Sequence, residues 1–226
     1  MKVLMLIISS DTEPVYAEHK KVWISYMNSN PQIESYFIQY RDGPQAIEGN
    51  TFWLTGKESF PAILTKTLDS LDYFLNKDSY DFIVRTNMSS LWNFNALLKH
   101  LETLPNEKVY NGFIGNYNNY NNYINYIAGS GFIMSPDVAR LLLENRQIAE
   151  SVKIIDDIDI GYALNKVGIN CSLGKRTDFY SREMYGKSTY DSSAYHYRLK
   201  WHNPYMRYEE AEIMRELLGK FSMESL

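Results

Sequence analysis

Asp156, Asp157 and Asp159 crowd into four positions of the chain, set among Ile154, Ile155 and Ile158 rather than among lysines. A carboxylate beside apolar side chains is costly unless it caps a helix, holds a cation or works as a base. The dipole of a helix beginning here would stabilise such acids, but three of them exceed what capping requires. A second cluster lies in YDFIVRTNMSSLWNF, Tyr80 to Phe94, where an apolar run passes straight into Arg85, Thr86, Asn87, Met88, Ser89 and Ser90. Asn87, Ser89 and Ser90 both donate and accept, and so form a neutral shelf suited to hydroxyls or phosphate oxygens. Ser89 or Ser90 would equally well cap a following helix, and the two uses are compatible. A third stretch, AYHYRLKWHNPYMRY, gathers His196, Arg198, Lys200, His202 and Arg207. Its cations could meet a developing negative charge, while its histidines are either metal ligands or ordinary loop and core residues.

The elements that must position these groups read as alternating strands and helices. Lys2 to Ile8 is a near-continuous apolar run that ends in Ser9, Ser10 and Asp11, as a strand buried on both faces does. Pro14 to Met27 carries helical spacing and stops at NSNPQ. IESYFIQY is a second strand closed by the turn RDGP, and FWLTGKE a short strand and turn. Ser59 to Leu75 is a helix with Pro61 in its first turn, YDFIVRT the next strand and SLWNFNALLKHLETL the next helix. This alternation predicts an α/β fold with a mostly parallel central sheet flanked by helices. Ligands bind such sheets at the carboxyl ends of strands, so Ser9 to Asp11, Arg41 to Gly43 and Arg85 to Ser90 are expected to converge on one crevice. Further on, the Asn/Tyr-rich tract Asn116 to Asn122 reads as a low-complexity loop between two strand-like pieces. SPDVARLLLENRQIAES follows as a helix with Ser135 as N-cap and Pro136 at its first position. IIDDIDIGYALNKVG then leads from acids into a helical face ending at Gly168. Neither an internal repeat nor a linker is visible, and residues 1–226 read as one domain.

A chain of 226 residues that is 45% hydrophobic fits a globular domain and not a disordered one. A net charge of −4 argues against a general nucleic-acid surface, which needs clustered Lys and Arg. The apolar run Val3 to Ile8 is too short for a membrane span and lacks the h-region of a secretory signal, so no span is expected. Cys171 stands alone and forms no internal disulfide, which favours a reducing, cytoplasmic location. The 19 tyrosines offer flat apolar faces with one polar tip, as sugar and base recognition both use, although a base-composition bias toward Asn and Tyr codons would give the same count. Dinucleotide, Walker, serine-hydrolase and zinc-protease motifs are absent.

Four stretches, ESFPAILTKTLDSLDYF, YDFIVRTNMSSLWNF, GSGFIMSPDVARLL and IIDDIDIGYALNKVGI, follow one another in the order and spacing of motifs in GT-A glycosyltransferases. Over roughly Glu58 to Ile169 the chain resembles the β-1,3-galactosyltransferase and Fringe group. The resemblance implies a GT-A, Rossmann-like fold, a nucleotide-sugar donor linked to UDP, and a glycan or glycoconjugate acceptor. It also implies that one carboxylate of the Asp pair, Asp157 ahead of Asp156, deprotonates the acceptor hydroxyl for attack on the anomeric carbon with inversion. Partial desolvation among isoleucines would raise that carboxylate's pKa toward a useful value. Gly129, Ser130 and Gly131 match the sugar-site motif, where glycine lets backbone approach a ligand; a strand bulge or tight turn would use the same glycines.

In that group the strand before the second motif ends in Asp-x-Asp, which binds Mn²⁺ or Mg²⁺ bridging the donor diphosphate. Here the place reads Thr86, Asn87, Met88, Ser89, and neutral oxygens hold a hard cation poorly. Two alternatives follow. Either a metal is held weakly with help from the donor phosphates and from His196 or His202, or the site is metal-independent and Arg85, Arg198 and Lys200 take the cation's place. Ser9, Ser10, Asp11 and Arg41 would serve the base and ribose. A non-catalytic nucleotide-sugar or carbohydrate-binding module would also have lost Asp-x-Asp, whereas a nucleotidyltransferase would need acidic metal ligands that Arg85 to Ser90 does not supply.

Overall fold

Every side chain of β1 (Val3–Ile8) is buried, because the strand lies inside a sheet covered on both faces. The computed structural model describes residues 1–119 and 122–223. After β1 come α1 (Pro14–Tyr26), β2 (Ile33–Arg41), β3 (Ala46–Glu48) and β4 (Thr51–Thr55). A 3-10 turn, Phe60–Ala62, holds Pro61 and leads into α2 (Ile63–Lys77), followed by β5 (Phe82–Asn87), β6 (Ser90–Trp92) and α3 (Phe94–Leu101). The second half runs through β7 (Tyr110–Asn119), β8 (Asn122–Met134), α4 (Pro136–Glu144), α5 (Arg146–Val152), α6 (Asp156–Lys166), β9 (Ser172–Leu173) and β10 (Arg176–Phe179). It finishes with α7 (Arg182–Lys187), β11 (His196–Leu199), a 3-10 turn at Pro204–Met206 and α8 (Tyr208–Met223).

The large sheet has the order β3-β4-β2-β1-β5-β8-β7-β9. Strands β4, β2, β1 and β5 are mutually parallel, as the alternation predicts, whereas β8 turns antiparallel to β5 and β7 to β8. Leu4, Leu6 and Ile8 point into a core shared with α2, α4 and α6; Val3, Met5 and Ile7 point into the opposite core, beneath α1, α3 and α8. This is the period of two that puts successive strand residues on opposite faces. Ile8 pairs with Ile38 on one side and Asn87 on the other, so β1 and β5 end level while β2 runs on to Arg41.

Four local expectations are corrected. The helix expected over SLWNFNALLKHLETL begins later: Ser90–Trp92 is a strand, antiparallel to β11, and the N-cap is Asn93, whose side chain accepts from the Ala96 N–H at 3.2 Å. Neither Ser89 nor Ser90 caps it. Ser135 does hold the N-cap position of α4, but its hydroxyl accepts instead from the Val109 N–H at 2.9 Å, tying the helix start to the strand entry. The single helix expected over 135–151 is two, α4 and α5, broken at Asn145. The tract Asn116 to Asn122 is not a loop in its described part: Asn116 pairs with Asn125 and Asn119 with Asn122 in a two-stranded ribbon that extends β7 and β8, while residues 120 and 121 lie outside the described residues. Among the described residues no helix is long and apolar enough to cross a membrane.

Candidate active site

Two adjoining pockets open along the carboxyl ends of β1 and β5. The first, about 370 Å³, is lined by Ser9, Ser10, Asn87, Ser89, Arg198 and Lys200 among others. The second, about 330 Å³, is lined by Tyr126, Gly129, Asp156, Asp157 and Arg176. Ile8, Phe60, Ile63, Asn87, Ser130 and Arg198 belong to both, so the two form one crevice.

Asp156 and Asp157 occupy the first turn of α6, whose dipole favours acids there. Asp156 is ion-paired with Arg85, which also donates to the Gly129 carbonyl. Asp157 accepts from the Gly129 N–H at 2.7 Å and from the Ile158 N–H at 3.0 Å. The Gly129 peptide is thus gripped at both ends, by Arg85 on its oxygen and by Asp157 on its nitrogen. Burial pushes the Asp157 pKa up and the Asp156 charge adds to the rise, while the Gly129 N–H and Arg85 oppose it. Asp159 is buried and accepts from the Ile154 N–H at 3.0 Å; its role is to close the helix entry, and it does not line the crevice.

The crevice is framed by ion pairs that sequence reading missed. Lys66, fully buried in α2, donates to the Ser9 carbonyl at 2.8 Å and is paired with Glu58 at 2.6 Å; burial lowers its pKa and Glu58 resists the change. Arg207 is paired with Glu210 at 2.9 Å and with Glu13, and reaches the Ser89 hydroxyl at 3.2 Å. Arg176 is paired with Asp178 at 2.8 Å, donates to the Ser130 hydroxyl at 2.8 Å and stacks on Phe113. The spacing of Glu58 and Lys66 on a predicted helix start is a weak signal. Arg176 and Arg207 have ion-pair partners close in sequence, Asp178 and Glu210, but their contacts with Ser130, Phe113, Glu13 and Ser89 are long-range and no local pattern carries them.

The crevice brings together Asp156, Asp157, Ser9, Ser10, Arg85, Asn87, Ser89, Gly129, Ser130, Arg198 and Lys200. The Asn87 side-chain oxygen and the Ser9 hydroxyl are buried with no partner among the described residues, the condition of groups that await one. Among those residues Arg198 and Lys200 make no hydrogen bond or ion pair through their side chains. Other expected residues lie elsewhere. Arg41 is paired with Glu48 at 2.6 Å, bonds the Pro44 carbonyl and stacks on Trp53. Asp11 is exposed and lines neither pocket. Gly131 is needed because a Cβ there would come within 2.5 Å of Trp92 and 2.9 Å of His196; its smallness serves packing behind the crevice.

The two histidines are apart. His196 is buried and stacked on Trp92 with centroids 4.3 Å apart, and burial beside Arg176 and Arg198 drives its pKa well below the ordinary range. His202 is exposed and stacks on Tyr180 at 4.8 Å. Thr86 donates its hydroxyl to the Ser130 carbonyl and Met88 is buried, so the end of β5 presents no anionic pair. The carboxylates lining the crevice are already engaged: Glu13 by Arg207, Glu58 by Lys66, Asp156 by Arg85, and Asp157 by two backbone N–H groups. Among the described residues no three His, Cys, Asp or Glu side chains gather as a cation site. Asp157 is thus the one carboxylate lining the crevice with no cation paired to it among the described residues, and the end of β5 offers only neutral oxygens, which hold a hard cation poorly.

A galactosyltransferase family profile matches residues 113–175, a span that holds Tyr126, Gly129 and the Asp156–Asp157 pair. No curated protein sequence matches the chain significantly. Among solved structures, a glycosyltransferase involved in the glycosylation of the major capsid of PBCV-1 is similar with a TM-score of 0.54 at 11% identity, covering 96% of this chain and 100% of that one. The galactosyltransferase LgtC, solved with donor and acceptor sugar analogs, is similar with a TM-score of 0.52 at 11% identity, covering 97% of this chain and 96% of that one. An active-site mutant of LgtC matches with a TM-score of 0.52 at 9% identity. These structural likenesses show the fold: the chain has the α/β fold of the GT-A glycosyltransferases.

Proposed function

We propose that the protein is a glycosyltransferase that moves a sugar from a UDP-linked donor to a glycan hydroxyl, with inversion, Asp157 as general base and no divalent cation. The observation that carries this reading is the state of Asp157. It stands in the crevice at the start of α6, its pKa is raised by burial, and no cation is paired with it, while its neighbour Asp156 is neutralised by Arg85. A base of that kind is suited to taking a proton from a sugar hydroxyl. The galactosyltransferase profile over 113–175 and the motif order shared with the β-1,3-galactosyltransferase and Fringe group support the substrate class.

In this reading the first pocket takes the donor diphosphate. Arg198 and Lys200, which line it without partners of their own among the described residues, face the phosphate oxygens, and the Asn87 and Ser9 side chains supply neutral hydrogen bonds. The acceptor oxygen loses its proton to Asp157 and bonds to the anomeric carbon, as the bond from that carbon to the diphosphate oxygen breaks. The charge that develops on the diphosphate falls on Arg198 and Lys200. Arg85, paired to Asp156, takes no direct part in this step.

The test is calorimetric titration with UDP and a panel of UDP-sugars, in Mn²⁺ and again in excess EDTA. The expected result is binding that survives EDTA. Binding abolished by EDTA would overturn the metal-independent site, and no binding to any nucleotide would overturn the donor assignment.

A further inference from the structure

Tyr126 is held in place by two glycines, on two different elements. On β7, Gly115 is its cross-strand partner, and the Tyr126 ring covers it: a Cβ at 115 would lie 2.5 Å from ring atom Cζ and 2.8 Å from the hydroxyl oxygen. On α6, Gly161 meets the root of the same side chain: a Cβ at 161 would lie 2.4 Å from Tyr126 Cβ and 2.9 Å from its Cα. Real atoms do not approach so closely, so any larger residue at either position would move the ring.

Gly161 is one helical turn beyond Asp157, on the same face of α6. Asn165, a further turn on, donates to the Asn125 carbonyl of β8 at 2.9 Å. Asp157, Gly161 and Asn165 therefore form one stripe of α6 that rides along β8, touching Gly129, Tyr126 and Asn125 in turn. The contact fixes where Tyr126 stands relative to the Asp157 carboxylate, and both line the second pocket. Tyr126, Ala128, Gly129 and Ser130 all line this pocket, where the pairing of β8 with β7 is irregular.

The geometry points to Tyr126 as the platform for the acceptor, a neutral pyranoside whose C–H face lies on the ring while a hydroxyl on its edge reaches Asp157. The inference rests on the glycosyltransferase reading. A pyranose has an apolar face and a polar rim, and an aromatic ring beside a carboxylate is complementary to both at once. The charge balance decides the class. Arg85 is neutralised by Asp156 and Arg176 by Asp178, which leaves only Arg198, shared with the first pocket, as a cation without a partner among the described residues. A pocket that also holds Asp157 disfavours an acidic sugar placed on this ring.

Saturation-transfer difference NMR tests the assignment, using methyl β-galactoside, methyl β-glucoside and methyl β-glucuronide as probes, each with and without UDP. The expected result is a signal on the ring C–H protons of a neutral glycoside, weakened about tenfold in Tyr126→Ala and rescued by Tyr126→Phe, which keeps the ring. UDP affinity, measured in parallel, is expected to stay within about twofold of the wild type. Gly115→Val, which displaces the ring without removing it, should reproduce the loss and serves if Tyr126→Ala fails to fold. Equal signals in wild type and Tyr126→Ala, no signal from any neutral glycoside while UDP binds, or a stronger signal from the glucuronide would each overturn the proposal. Failure of UDP to bind would instead remove the donor assignment, and a glycoside signal that still depended on Tyr126 would leave the platform standing.

Discussion

The guanidinium of Arg85 is ion-paired with Asp156 inside the protein, so the cation nearest the catalytic candidate neutralises its neighbour and not the ligand. Both side chains are largely hidden, with 2% and 10% of their surface exposed. Removing one partner of such a pair leaves an uncompensated charge and costs about 3–5 kcal/mol. In Arg85→Met the freed Asp156 charge, together with loss of the opposing cation, raises the Asp157 pKa further. A base must be deprotonated to act, so the acid limb of the transfer rate moves to higher pH. A pH–rate profile of Arg85→Met and Arg85→Lys checks this: the limb should shift upward in the first and return toward wild type in the second.

Gly161→Ala should be more harmful than an alanine in a helix usually is. Propensity alone favours alanine over glycine by about 1 kcal/mol, yet the added Cβ would meet Tyr126 Cβ at 2.4 Å. Overpacking of this kind costs about 1–3 kcal/mol. Thermal unfolding should show a lower Tm, and transfer should fall through kcat as Asp157 is carried away from the crevice. Gly219→Ala, where a Cβ meets nothing within 4 Å, is the matched control and should be neutral or slightly stabilising.

Arg198→Ala and Lys200→Ala should each weaken UDP binding by about ten- to a hundredfold, the value of a charge-assisted hydrogen bond. The loss should be the same in Mn²⁺ and in EDTA. Titration of both variants under the two conditions checks it, and a loss seen only with metal would contradict the donor site described above.

His196 should make the protein sensitive to acid. Its folded pKa lies well below the ordinary value because it is buried on Trp92 with Arg176 and Arg198 nearby. The unfolded chain therefore takes up a proton first as pH falls below about 6.5. The contribution of neutral His196 is fully present above that value and declines as pH falls toward the folded pKa, by up to about 1.4 kcal/mol per pH unit. His196→Phe, which keeps the stacking surface, should flatten the dependence of Tm on pH below about 6.5.

The N-terminal half of the sheet is legible because β1 and β5 are buried almost throughout and so stand out as apolar runs, while β2 alternates buried and half-buried residues before the turn that closes it. The Asp156–Asp157 pair was legible for a local reason too, since acids at a helix start stand out among isoleucines. What could not be read depends on partners distant in sequence. Ser90–Trp92 forms a strand only because β11 lies beside it, and its composition is compatible with a helix start. Asn116 and Tyr117 look like loop residues, but their backbone pairs with β8 in a ribbon. Arg41 sits at a strand end as expected, yet Glu48, Pro44 and Trp53 hold it away from the crevice. Nothing local distinguishes Tyr126 from the other tyrosines among the 19; its place depends on Gly115 and Gly161, which are distant in sequence.

The most direct test of the account is the transfer rate of Asp157→Asn beside its UDP affinity, measured in EDTA with UDP-galactose, UDP-glucose and UDP-N-acetylglucosamine as donors. Asparagine can still accept the Gly129 N–H but cannot take a proton, so UDP affinity should hold while transfer falls by about 10²–10⁴-fold, the contribution of a positioned base. Transfer that persists at the wild-type rate in Asp157→Asn would contradict the assignment of Asp157 as the base.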